Sequence, residues 1–286
     1  MQGTSSVALW SSIILLMLAS FGIVPTQQGL ALGMEVVGQS TSCFSTYTSG
    51  IGATLMKICI SDHGNLVQFE SPQSFEHIQI NSSGEGYVVC SSLPGSISQV
   101  HGWDAGFAEA GFEAPAIAQP NGPNTFPLTI TRTTADGIFR LAQDFARDTT
   151  KKDVTITMTL TNLSASSRTG VRLARYFDGN IDNDRADDRY ARNRYSVGGW
   201  ENSSEGHGLR LTALTTDQAI AQSIFIDVET FTTWNPLGTG LKTAQGCAVA
   251  GAGTDNPRDF IGRLTYNLGT LNVGQSKTVQ VLYQRF

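Results

Sequence analysis

Between residues 178 and 184 the chain carries an oxygen-bearing side chain at every second position: Asp178, Asn180, Asp182 and Asp184. Asn183 lies between them, and Asp187 and Asp188 follow. Alternating carboxylate and amide oxygens on a tight segment are what a hard cation such as calcium takes as ligands. Arginines interleave with these acids at Arg185, Arg189, Arg192 and Arg194, and Arg172 and Arg175 precede them. The same segment can therefore neutralise itself as a solvated network of ion pairs. Both readings stand: a calcium site on Asp178, Asn180, Asp182 and Asp184, or a surface charge network.

An EF-hand is excluded. Asp178, Asn180 and Asp182 match the first, third and fifth ligand positions of such a loop, but Asn183 replaces the turn glycine and Arg189 the closing glutamate. Just beyond come Tyr190, Tyr195, Trp200, Glu201, Glu205 and His207. Aromatic faces stack on sugars, and glycosidases work with two carboxylates, so these six are the candidate ligand-binding residues. Their alternative is burial as ordinary packing residues. No catalytic residue can be named from the sequence, and whether the chain is an enzyme stays open.

The remaining chemistry is sparse. His63, His77, His101 and His207 form neither His-x-His nor His-Glu-x-x-His, which disfavours a histidine zinc site. Gly-x-Ser-x-Gly, the P-loop and the dinucleotide-binding glycine pattern are all absent. The segment His101-Gly102-Trp103-Asp104 reads as a packed loop. The formal net charge of −5 offers no basic surface for a nucleic-acid backbone.

The first charged residue is Glu35, and Val7 to Val24 is almost wholly apolar. The run is short for a membrane span, and Ala31-Leu32-Gly33 follows where signal peptidase would cut. Residues 1–33 thus read as a signal peptide and 34–286 as one exported domain, secreted or periplasmic. Without cleavage the same segment would act as a membrane anchor. Four cysteines, Cys43, Cys59, Cys90 and Cys247, are compatible with two disulfides in any of three pairings. Asn-x-Ser sequons occur at Asn81, Asn162 and Asn202.

The elements that must position these groups are strands. From Val154 to Thr161, Val154, Ile156, Met158 and Leu160 alternate with four threonines, the pattern of a half-buried antiparallel strand. Thr278 to Tyr283 repeats it. Further strands are expected at Leu55–Ile60, Leu66–Glu70, Tyr87–Ser91, Leu128–Thr133, Val171–Phe177, Leu209–Leu214, Ile220–Val228 and Ile261–Leu268. Turn signals such as Asp62-His63-Gly64-Asn65 and Asp136-Gly137 separate them. Residues 138–145 fit a helix or a strand, and the flanking turn chemistry favours strand. Gly102–Pro127 and Asp178–Glu205 read as long loops. The expected fold is all-β, an antiparallel β-sandwich that extends in one version to a large two-sheet supersandwich. A division into two subdomains near residue 150 is the alternative.

Two segments carry a family resemblance. One is Val154–Thr161, then Asn162-Leu163-Ser164, then Val171–Asp178 ending Arg-Tyr-Phe-Asp; the other is the closing Leu268 to Val279. Together they resemble secreted bacterial β-sandwich modules and, more widely, the supersandwich of galactose-mutarotase-like proteins. The resemblance implies a fold and no activity, because the His pair and Glu of mutarotases have no positional match here. The leading function is therefore a binding or surface protein with calcium support, whose partner is a glycan or another cell-surface component. A carbohydrate-active enzyme using carboxylates of residues 178–205 is one alternative, and a self-assembling extracellular protein pairing strand edges is another.

Overall fold

A computed structural model of the chain describes residues 42–78, 84–93, 96–106, 108–148, 150, 152–183, 188–201, 206–230 and 260–286. The strands run in chain order as β1 (Ser45–Ser49), β2 (Met56–Ile60), β3 (Leu66–Glu70), β4 (Glu85–Leu93), β5 (Ser96–Asp104) and β6 (Glu109–Ala110). Then come β7 (Ala116–Ala118), β8 (Leu128–Thr133), β9 (Phe139–Asp148), β10 (Asp153–Asn162), β11 (Arg168–Gly179) and β12 (Asp188–Arg192). The last are β13 (Ser196–Glu201), β14 (Gly208–Ala213), β15 (Ser223–Thr230), β16 (Phe260–Leu271) and β17 (Ser276–Arg285). Helix among the described residues is limited to two single 3-10 turns, Gly52–Thr54 and Ile181–Asn183.

The strands form three antiparallel sheets, so the all-β expectation holds. A small sheet has the order β1-β2-β3, a large one β12-β13-β14-β17-β10-β9-β8-β7, and a third β15-β16-β11-β4-β5-β6. Side chains alternate across a strand, which sorts each sheet's residues by face. In β10, Val154, Ile156, Met158 and Leu160 are all fully buried, while the intervening Thr155, Thr157 and Thr159 are half-exposed. The core draws on every sheet: Met56, Ile58 and Phe69 from the small one, Ile130, Leu141, Ile156 and Val281 from the eight-stranded one, Val89, Leu173 and Leu264 from the six-stranded one. On the opposite face of the six-stranded sheet a second cluster gathers Val88, Cys90, Trp103, Ala174, Tyr176 and Ile261.

The ambiguous 138–145 segment is strand β9, paired with both β8 and β10. The two expected loops are only partly loops. Trp103 lies inside β5 and is fully buried, and the 178–205 stretch contains the β12–β13 hairpin. Charge and glycine concealed that hairpin. Gly199 is required there, since a Cβ on it would lie 2.2 Å from the Phe260 ring. Close packing thus replaced the apolar side chains that a period-two reading looks for.

Cys43 and Cys59 form a disulfide between the approach to β1 and strand β2. Cys90 is also disulfide-bonded. Cys247 and residues 7–33 lie outside the described residues. No helix among the described residues is long and apolar enough to cross a membrane.

Candidate functional site

The β2–β3 turn projects His63 away from the small sheet. Its backbone is set by Gly64, whose φ of +89° suits glycine. The turn is closed by hydrogen bonds from Ser61 N to Asn65 O and from Gly64 N to Ser61 O. Tyr87 Oη donates to the His63 carbonyl at 2.7 Å. So held, His63 Nδ1 lies 3.2 Å from Asp104 Oδ2 at the end of β5 and 3.1 Å from Glu109 Oε2 of β6. Arg132 of β8 closes the group, with Nη1 3.3 Å from Asp104 Oδ2 and Nη2 2.7 Å from Glu109 Oε2. One residue of the small sheet, two of the six-stranded sheet and one of the eight-stranded sheet meet at this point.

Two carboxylates against an imidazole and a guanidinium make a near-neutral quartet. Burial by itself lowers the His63 pKa, but the hydrogen bonds to Asp104 and Glu109 outweigh it and raise the value to about 9. Burial likewise pushes Asp104 up, and the bonds from His63 and Arg132 pull it below the usual carboxylate range. At neutral pH the imidazole is therefore a cation held between two anions. It can donate a proton, but the carboxylates facing it are already engaged by Arg132.

A second buried network lies deeper, between the two large sheets. Arg175 of β11 shares the inward face with Leu173 and Phe177. Its Nε and Nη2 donate to Glu85 at 2.6 and 2.9 Å, its Nη1 to Gln143 of β9, and its Nη2 also to the Gly64 carbonyl. Tyr283 of β17 donates to the same Glu85 carboxylate at 2.6 Å. Buried charge is tolerable only when paired and hydrogen-bonded in this way.

Ser91, His101 and Asp136 form a third arrangement. Ser91 Oγ lies 2.7 Å from His101 Nε2, and His101 Nδ1 lies 2.7 Å from Asp136 Oδ2. That is the connectivity of a hydrolase triad. Ser91 and the His101 ring are fully buried, however, and the ring packs edge-on against Phe139. No substrate carbonyl reaches such a serine. The group fastens the turn at Asp136, which also accepts from Thr134 and Ile138 N, to strands β4 and β5.

The residues singled out from the sequence lie elsewhere. Asp178 and Asn180 are buried. Asp182 approaches His77, with Oδ1 3.7 Å from Nδ1. Asp184 and Glu205 lie outside the described residues. Tyr190 is buried and stacks on Phe260 at 5.5 Å, which makes it core. Tyr195 packs partly buried against the same core. Trp200 meets Phe286 edge-on at 6.5 Å. Glu201 is the cross-strand partner of Asp188, so those two carboxyl-bearing residues are direct neighbours. His207 stacks on Phe75, centroids 4.4 Å apart and planes within 12°.

The last contact forms one wall of an open groove of about 430 Å³, lined by Gly52, Ala53, Pro72, Gln73, Ser74, Phe75 and His207. Phe75 is half-exposed, and Gln73 and Ser74 are exposed. Gln73 Oε1 accepts from Gly52 N at 3.1 Å, and its Nε2 has no partner among the described residues. Ile51, beside the groove, is 82% exposed. Of its lining, sequence reasoning found only His207. Gln73-Ser74-Phe75 carries no motif, and nothing in its spacing announced a surface.

No family model and no curated protein matches the chain by sequence. Solved structures do resemble it. A bacterial glucoamylase complexed with acarbose superposes with a TM-score of 0.56 at 9% identity, over 88% of this chain and 33% of the glucoamylase. The chain thus spans about a third of that protein's length. A putative aldose 1-epimerase from Escherichia coli K12 aligns more loosely, with a TM-score of 0.45 at 14% identity over 85% of this chain and 99% of the epimerase. A polysaccharide lyase gives a TM-score of 0.40 at 11% identity. Identities this low speak for fold alone, and the resemblance read from the sequence stands at that level, with no activity attached.

Proposed function

We propose that the chain is an exported, non-catalytic β-sandwich protein that binds carbohydrate in the open groove beside Phe75. The observation that carries this reading is the groove's composition. It presents a half-exposed aromatic ring, an exposed amide with a free donor, an exposed hydroxyl and a small-residue floor. A sugar ring offers apolar C–H faces to an aromatic ring and hydroxyls to an amide, and a groove of about 430 Å³ accommodates one or two such rings.

Three further points support it. Asp104 and Glu109, which converge among the described residues, are held by Arg132 and His63, which leaves them poor acid–base catalysts. The Cys43–Cys59 disulfide favours an oxidising compartment and hence export through the apolar N-terminal segment. A glucoamylase complexed with acarbose shares the fold over 88% of this chain. Calcium support on Asp178, Asn180 and Asp182 belongs to the same reading. Asn180 Oδ1 is a buried acceptor without a hydrogen-bond partner among the described residues, and a hard cation takes such oxygens.

The test is a glycan array probed with the 34–286 form and with Phe75→Ala. Retention of a defined glycan class by the wild type, lost in the variant, is the expected result. Retention unchanged by Phe75→Ala would place binding elsewhere, and no retention at all would reject the function.

A further inference from the structure

His63 Nδ1 faces two acceptors at nearly equal distance, 3.2 Å to Asp104 Oδ2 and 3.1 Å to Glu109 Oε2. The hydrogen bond runs to Asp104, while Glu109 meets the same nitrogen as an ion pair off the N–H line, so one proton serves only one of the two oxygens. All three donor atoms fall within 4.8 Å of one another. Ligands bound to a tetrahedral ion at about 2.0–2.1 Å stand roughly 3.3 Å apart, close to the 3.2 and 3.1 Å that separate His63 Nδ1 from the two carboxylate oxygens. An ion at the centre would give each of the three atoms a directed bond where one proton now serves a single pair.

The surroundings suit such an ion. Asp104 is fixed from behind, since its Oδ1 accepts from Gly106 N at 2.8 Å and its carbonyl accepts from Tyr176 Oη. Arg132 holds both carboxylates in place and is itself anchored by Nε donating to the Glu113 carbonyl at 3.0 Å. Asp104 and Glu109 are almost wholly buried, while the His63 side chain is 13% exposed, so the group has one open side. One imidazole nitrogen and two carboxylate oxygens form a borderline donor set that favours zinc and its first-row neighbours over calcium.

We propose that His63, Asp104 and Glu109 bind one divalent transition-metal ion, with Arg132 as the outer group that positions the carboxylates and water from the open side as fourth ligand. On binding, the proton on His63 Nδ1 leaves to solvent and the nitrogen lone pair takes its place on the metal; no redox step is involved.

Equilibrium dialysis of the full chain against Zn2+, read by elemental analysis, tests this. About one Zn2+ per chain is expected for the wild type, with affinity lowered at least ~10-fold in both His63→Ala and Glu109→Gln. Asp182→Ala, at the separate acidic segment, should retain the ion. Co2+ should add visible absorption bands of a four-coordinate site in the wild type and none in His63→Ala, and thermal melts of the metal-free variants show whether they remain folded. No bound Zn2+ in the wild type, or equal binding by folded His63→Ala, would overturn the site.

Discussion

Replacing His63 by Gln should change the response of the fold to alkaline pH. The imidazole titrates at about 9 in the folded chain and at 6.5 when unperturbed. The folded value is the higher, so the stabilisation is complete below about pH 6.5 and disappears as pH rises through about 9. Its size follows from the same displacement, about 3 kcal/mol for the quartet with a charged His63. Gln keeps a donor but carries no charge. Urea unfolding of both proteins, in chelator, at about pH 6 and again at about pH 9.5 should therefore show a stability gap near 3 kcal/mol that closes at the alkaline end. Other groups titrate too, but they are common to both chains and drop out of the difference. A gap that stays constant across this range would refute the charged quartet and leave His63 as a packing residue.

His77 should act in the opposite sense. Burial holds its pKa at about 4, below 6.5, so stability falls as pH drops from 6.5 toward 4, and His77→Gln should lose that acid limb in the same urea assay. Met158→Asp, which buries a charge, should cost more than about 4 kcal/mol in chemical denaturation, whereas Thr157→Asp one residue away should cost about 1 kcal/mol or less. Arg175→Met leaves Glu85 buried without its cation and should cost about 3–5 kcal/mol by the same measurement. With Cys43 joined to Cys59, non-reducing peptide mapping should recover Cys90 linked to Cys247, the one cysteine that remains for it.

What could be read from the sequence was whatever depends on local period. The threonine alternation of β10 gave both its face and its burial, and β17 followed from the same pattern. The β12–β13 hairpin escaped because Gly199 stands beyond Val197 where an apolar side chain would have continued the inward face. The quartet was illegible for another reason. Asp104 lies 41 residues from His63 and 28 from Arg132, and only the meeting of three sheets brings them together. Spacing along the chain carries no trace of such a contact. The acidic segment, by contrast, was conspicuous in sequence because its residues are neighbours, which by itself does not make their oxygens converge.

Carbohydrate binding beside Phe75 without turnover is open to direct measurement. It is tested most directly by titrating the oligosaccharide retained on the array into wild type and Phe75→Ala by calorimetry, then analysing the recovered sugar by chromatography. Saturable binding by the wild type is expected, with roughly tenfold weaker binding without the ring, equivalent to about 1.4 kcal/mol, and sugar recovered intact. Equal affinity in the two proteins, or a cleaved or epimerised sugar, would contradict it.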